Sequence, residues 1–208
     1  MKLFYFETSN PRKACALAKH VEAPVEFVRV DLSKGEHKTP EYLAVNPNGK
    51  VPALQDGETC LWEADAIMCY LADKMNSPLW PKDARQIDII RWISWATSHF
   101  SRHGGILFFE RFIKPQFGLG ETNPTAVEEA EGFFRQFGAV LDGYLKGRDY
   151  LVGGTLSLAD FAVASPLPYA GQAALPLDDF GEIRRWYATI EALPAWRHPF
   201  PEDAASAA

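Results

Sequence analysis

A small α/β domain followed by an all-helical bundle is the fold class that this 208-residue sequence predicts. Three observations carry that expectation. Strand-like and helical patterns alternate from Lys2 to Asp31, an Asp56-Gly57 turn separates two short β-rich runs ahead of a third helix, and helical spacing of apolar residues dominates after Pro81. The expected boundaries are 1–75 for the α/β domain, 76–82 for a linker carrying Pro78 and Pro81, and 83–208 for the helical domain.

Each element follows from local chemistry. Lys2 to Phe6 reads as a strand, after which Asn10 is expected to cap a helix that has Pro11 at its first position. Ala14, Leu17, Ala18 and Val21 repeat at helical spacing, and Glu26 to Asp31 returns to strand-like alternation. This βαβ unit forces two parallel strands and places the loop before the helix at the carboxyl edge of the sheet, where ligands bind in such folds. A weakly helical piece follows near Pro40 to Leu43, and Val51 to Gln55 forms a strand. Asp56-Gly57 predicts a hairpin to a partner strand over Glu58 to Leu61, and a third helix runs from about Glu63 with Ala66, Ile67, Tyr70 and Leu71 inward. Beyond the linker, Asp83 starts a long helix reaching about Ile113, and Pro124 opens another that ends near Gly147. Ser157-Leu158-Ala159-Asp160 is a capping box with Leu156 and Phe161 as its staple, and Glu182 to Leu193 is the last amphipathic helix.

Composition narrows the function classes. Twenty-one basic against 27 acidic side chains give a net charge of −6, which argues against a broad nucleic-acid or anionic-lipid face. The short apolar start is far below the length of a signal peptide or a membrane span, and no later run is long enough, so a cytoplasmic location is expected. Cys15, Cys60 and Cys69 form no CxxC pair, which speaks against a disulfide framework or thiolate zinc site. His99 and His103 stand four apart on a helix without a following acid, a pattern that fits packing better than metal binding. No metal is expected.

Four separated motifs occur in order: Thr8 to Lys13, Asn46 to Leu54, Leu61 to Leu71, and Ser157 to Asp160. Together they resemble the cytosolic glutathione S-transferase family, in its bacterial type, across essentially the whole chain. The resemblance implies a thioredoxin-like first domain that binds glutathione and an all-α second domain that helps form the pocket for a small hydrophobic electrophile. It also implies a homodimer, and a cis bond before Pro52 that turns the Val51 backbone toward the cysteinyl unit of glutathione. His37 and Lys50 lie where related sequences reach the glycyl carboxylate. One departure is visible, because many members carry serine where this chain has Ala64.

The residues support a glutathione reading on physical grounds as well. A helix N-terminus presents free N–H groups and partial positive charge, so the start of the third helix at Ala64 suits the glutamyl carboxylate and Glu63 suits the ammonium. First-turn acids are common for dipole reasons alone, so this pair acquires meaning only beside the other motifs. A free thiol is only a few per cent ionised at neutral pH, and lowering its pKa by about two units makes the thiolate dominant. Thr8, Ser9 and Asn10 bring hydroxyl and amide donors to a helix N-terminus for that task. Cys15 is the competing candidate, since its segment resembles that of family members with a cysteine there, although a small buried thiol is the commoner state. Tyr5 belongs to the core.

The expected activity is therefore thiol activation and transfer of an alkyl or aryl group to glutathione. Two alternatives share the fold: a glutathione-dependent disulfide or peroxide reductase working through Cys15, and a non-catalytic glutathione-transferase-like binding protein.

Overall fold

The computed structural model describes residues 1–202 of the chain. The Cα framework divides into two compact units, Met1–Trp80 joined by the chain from Ala192 on, and Pro81–Glu191.

The first unit carries β1 (Lys2–Tyr5), α1 (Ser9–His20), β2 (Glu26–Arg29), α2 (Pro40–Val45), β3 (Ala53–Asp56), β4 (Thr59–Trp62) and α3 (Ala64–Lys74). The strands form one sheet in the order β2-β1-β3-β4. β1 and β2 are parallel with Leu3 opposite Phe27, whereas β3 runs antiparallel to both β1 and β4. This is the thioredoxin-like arrangement that the resemblance implies. Helix α1 buries Ala14, Cys15, Ala16, Leu17 and Ala18 and packs on α3, which buries Ile67, Met68 and Leu71. A smaller cluster of Val30, Tyr42 and Ala53, joined by Phe4, Val45 and Val51, ties α2 to the strands.

Two local details differ from the sequence expectation. The N-cap of α1 is Thr8, so Ser9 is its first residue and Pro11 its third. Proline is tolerated there because the N–H groups of a first helical turn have no intrahelical partner to lose. The hairpin turn is shifted by one residue: Asp56 pairs with Thr59, leaving Gly57 and Glu58 as the turn. Gly57 has φ of 60°, the left-handed conformation that fixes the first turn position as the glycine.

The segment from Ala192, assigned above to the helical domain, belongs to the first unit. Its short helix α11 (Pro194–Arg197) packs on α1, with Trp196 only 1% exposed. Arg12 donates to the Trp196 carbonyl at 2.8 Å, and Lys19 donates to the carbonyls of His198 and Phe200. Tyr5 stacks on Phe200, which confirms it as a core residue.

The second unit is helical. Helix α4 (Arg85–Trp95) continues through a π turn at Ala96–Phe100 into α5 (Ser101–Phe108), and through a second at Phe109–Ile113 into α6 (Lys114–Phe117). This single long rod outlasts the expected end at Ile113. Helix α7 (Pro124–Leu145) starts on Asn123, whose Oδ1 accepts from the amides of Thr125 and Ala126. Gly104 sits against Phe134 and Pro166, where an added Cβ would stand 2.8 Å from the proline ring. Helix α8 (Leu158–Val163) is buried along its whole length. The unit is completed by α9 (Ala170–Ala173) and α10 (Gly181–Glu191), whose Ile183, Trp186 and Ile190 face inward. No helix among the described residues is long and apolar enough to cross a membrane.

Candidate functional site

The head of β3 lies at the edge of the sheet where Ala53 pairs with Phe4 of β1 and with Trp62 of β4, so the chain segments that lead into α1, β3 and α3 adjoin that edge.

At the start of α1, Thr8 has extended backbone (φ −129°, ψ 170°), and its carbonyl accepts from the Arg12 amide at 2.9 Å. Its hydroxyl makes no capping bond. A half-buried Thr hydroxyl at a helix N-terminus, with its donor unspent on the helix, is chemically suited to an anion. Ser9 is half-buried on the first turn and Asn10 is exposed on the second helical position.

Cys15, the competing candidate, is buried. Its side chain is 0% exposed, one turn beyond the helix start and within the α1 core face. Burial pushes its thiol well above the ordinary range, so it stays protonated. Burial and a raised pKa both count against this thiol as a nucleophile.

The loop before β3 is tightly scaffolded. The Val51–Pro52 bond is cis. The Lys50 carbonyl accepts from Tyr42 Oη at 2.6 Å and from Asn46 Nδ2 at 2.7 Å, while Asn46 Oδ1 accepts from the amide and the side chain of Asn48. Asn46 is 2% exposed, and burial pushes the Tyr42 phenol up to about 12, keeping it a donor. Among the described residues, neither the amide nor the carbonyl of Val51 makes a hydrogen bond. An unpaired donor and acceptor on one residue beside a sheet are what an added strand requires.

Gly49 joins this loop to the 3₁₀ turn Glu36–Lys38. Its φ is 56°, and a Cβ there would meet Lys38 Nζ at 2.8 Å and the His37 carbonyl at 3.0 Å. Only glycine allows so close an approach. The result places His37 and Lys38 beside Lys50, with Lys38 Nζ donating to the Gly49 carbonyl at 3.4 Å and His37 Nδ1 buried without a partner.

Glu63 is the N-cap of α3, with φ 71° and ψ 118°. A glutamate rarely adopts this backbone, which costs on the order of 1–3 kcal/mol and persists where the surroundings dictate it. Its side chain is exposed and makes no capping bond, while its carbonyl accepts from the Ile67 amide at 3.0 Å. The first turn of α3, with Ala64 at its head, is therefore served by no Glu63 carboxylate.

Sequence reasoning missed Tyr42, Asn46 and Lys38 as supports of this edge. Asn46 was visible within the Asn-Pro-Asn-Gly run, but its role in holding the Lys50 carbonyl depends on a contact across the loop. The charged side chains of the helical unit include a network in which Glu131 pairs with Arg111 and Arg135, and Arg135 with Asp179. His99 and His103 stack on Phe137 and Phe133, and no group of metal-binding side chains occurs among the described residues.

Both units resemble known proteins. The model of the glutathione S-transferase N-terminal domain matches residues 1–73 and that of the C-terminal domain matches residues 103–194. A glutathione S-transferase of Hyoscyamus muticus is 34% identical over 194 residues, covering 88% of this chain and 89% of its own. The chain belongs to the glutathione S-transferase family. A glutathione S-transferase-I solved with lactoylglutathione is 28% identical with a TM-score of 0.86, covering 95% of this chain and 97% of its own. A family member from Pseudomonas fluorescens, solved with two glutathione molecules, is 26% identical with a TM-score of 0.86, covering 95% of this chain and 91% of its own. A plant relative in sequence and a bacterial neighbour in fold both match, and nothing singles out a bacterial type.

Proposed function

We propose that this chain is a glutathione transferase in which Thr8 activates the glutathione thiol for attack on a small hydrophobic electrophile. The observation that carries the reading is the convergence of three unspent binding features on one domain: the uncapped Thr8 hydroxyl, the unpaired Val51 backbone and the exposed Glu63 carboxylate at the α3 N-terminus.

In this reading the γ-glutamyl carboxylate takes the first N–H groups of α3 at Ala64 and Asp65, and Glu63 takes the ammonium. The Val51 amide and carbonyl pair with the cysteinyl backbone as an added strand, on a loop set by Pro52, Tyr42 and Asn46. His37, Lys38 and Lys50 offer positive charge to the glycyl carboxylate. Thr8 then donates to the thiolate, aided by the positive end of α1; Ser9 and Asn10 serve as further donors on that turn. The thiolate attacks the electrophilic carbon, a carbon–sulfur bond forms, and the leaving group departs with the electron pair of its own bond. Relatives solved with glutathione or its conjugate support the co-substrate.

A homodimer is the assembly we favour, supported by exposed apolar side chains on α4 and α7: Ile87, Ile90, Phe133 and Val140. Three free cysteines support a reducing compartment, and hence the cytoplasm.

The deciding experiment follows the thiolate absorbance of bound glutathione against pH. Thr8→Ala is expected to raise the bound thiol pKa by about one to two units, equivalent to about 1.4–2.7 kcal/mol of thiolate stabilisation. Cys15→Ala is expected to leave it in place. A pKa unmoved by Thr8→Ala, or glutathione found as a mixed disulfide on Cys15, would transfer the role elsewhere and favour the reductase.

A further inference from the structure

We propose that Arg29 is a positioning residue for thiol activation: by holding the carboxylate of Glu7, the residue before Thr8, it keeps that charge from opposing the glutathione thiolate. The proposal rests on the reading of Thr8 as the activating residue.

Phe6, Glu7 and Thr8 form a tight turn between β1 and α1, closed by the Thr8 amide donating to the Phe6 carbonyl at 2.7 Å. Glu7 is its central residue, so the turn that presents Thr8 carries a negative charge. Arg29, the last residue of β2, stands opposite Tyr5 in the parallel ladder and reaches two residues of that turn. Its Nε donates to Glu7 Oε1 at 2.8 Å, and its guanidinium carbon lies 4.7 Å from the centre of the Phe6 ring. Among the described residues no other cation pairs with Glu7. Arg29 also approaches Asp31 at 3.8 Å, but Asp31 has Lys34 at 3.3 Å and accepts from the amide and hydroxyl of Ser33. Removing Arg29 therefore leaves Glu7, not Asp31, without a partner.

The field of Glu7 extends into the core: burial first, and then Glu7, hold the Tyr5 phenol above its ordinary range. A thiolate within hydrogen-bond reach of the Thr8 hydroxyl would stand within roughly 10 Å of the Glu7 carboxylate, because successive Cα atoms are only about 3.8 Å apart. At that separation and an effective dielectric of about 40, two negative charges oppose each other by about half a pKa unit. With side chains 37% and 30% exposed, the ion pair adds little to stability, and its consequence lies in its place beside Thr8.

Charge cancellation predicts effects of opposite sign for the two partners, which a purely structural role does not. The thiolate absorbance of bound glutathione against pH, at low ionic strength, is the measurement on the full-length protein, with thermal unfolding recorded for each variant. Arg29→Gln keeps a donor but loses the charge, and should raise the bound thiol pKa by about half a unit, an about threefold loss of thiolate at a pH below it. Arg29→Lys restores the charge and should return the pKa to within about 0.2 of wild type. Glu7→Gln leaves the Arg29 charge uncancelled and should hold or lower the pKa, and it carries the sign test if Arg29→Gln does not fold. A pKa that Arg29→Gln does not move, that Arg29→Lys fails to restore, or that Glu7→Gln raises overturns the proposal. Thr8→Ala, followed in parallel, separates the two levels: a pKa unmoved by Thr8→Ala removes the activating role of Thr8 and the proposal with it. Movement by Thr8→Ala with none by Arg29→Gln removes the role of Arg29 alone.

Discussion

Among the acidic residues at helix starts, Asp160 and Glu63 have opposite fates. Asp160, near the head of α8, is 0% exposed and sits beyond a cap residue, Ser157, with ordinary extended backbone. Its carboxylate accepts four hydrogen bonds, from the Leu151 and Ser157 amides, Ser157 Oγ and Trp186 Nε1. Glu63, at the head of α3, is exposed on a backbone of positive φ and makes no capping bond. One acid is consumed by the fold, whereas the other is held ready at a strain cost. Sequence position near a helix start is shared; what differs is whether the donors around the acid are already satisfied.

The larger expected effect lies at Asp160. Asp160→Ala strands the Leu151 and Ser157 amides and the Trp186 indole N–H in a dry interior, and each such orphan costs about 1–3 kcal/mol. A loss of about 4 kcal/mol in unfolding free energy is expected by denaturant titration, with glutathione affinity of the folded fraction retained. Wild-type stability with lost activity would mean that Asp160 acts in catalysis. The same residue predicts a pH signature. Burial pushes its carboxyl up from 3.8 to about 6, against the four donors that hold it down. A raised folded-state pKa contributes stability that is complete below 3.8 and is lost as pH rises through about 6. The contribution is about 3 kcal/mol across that window, and Asp160→Asn should flatten this part of the stability profile.

Much of this was legible in the sequence for definite reasons. The strand–helix order, the cap at Ser157 and the glycine of the hairpin are local signals, and local chemistry decides them. The capping role of Asp160 was visible from its spacing to Ser157, but its bonds to Leu151 and Trp186 were not, because nothing in the local pattern brings Trp186 to α8. The burial of Cys15 was hidden for a similar reason: its place in the second turn of α1 was readable, but its complete burial depends on packing. The return of the segment from Ala192 to α1 was hidden because its anchors, Arg12 and Lys19, bond to backbone carbonyls that carry no side-chain signature. The left-handed backbone of Glu63 had no signal at all, since no glycine or asparagine advertises it.

Substitution of Glu63 tests the exposed acid. Replacing it with glutamine keeps the shape and removes the charge, so glutathione binding should weaken by about 1.5–3 kcal/mol, the scale of a charged hydrogen bond, with an unchanged melting temperature. Glu63→Gly should separate the two costs more sharply. Glycine accepts the backbone of positive φ without penalty, so the fold should gain about 1 kcal/mol while the ligand loses its ammonium partner. A glycine variant that unfolds more easily than wild type would show that the Glu63 conformation is not strained.

The smallest effect concerns Ala64, where the first turn of α3 offers backbone donors alone. Ala64 is 5% exposed, and a serine there adds one oxygen to a site that already has room for the Ala64 methyl. If the α3 N-terminus is the carboxylate site, the new hydroxyl supplies a donor beside the existing N–H groups, and glutathione should bind more tightly by about 0.5–1.5 kcal/mol. Because serine also competes for the helix backbone, the stability of the free protein should change by no more than a few tenths of a kcal/mol. The gain should vanish for cysteinylglycine, which lacks the glutamyl unit, and persist for glutathione conjugates, which retain it. An equal gain for both ligands would place the hydroxyl near the cysteinyl unit instead, and would move the glutamyl end away from α3.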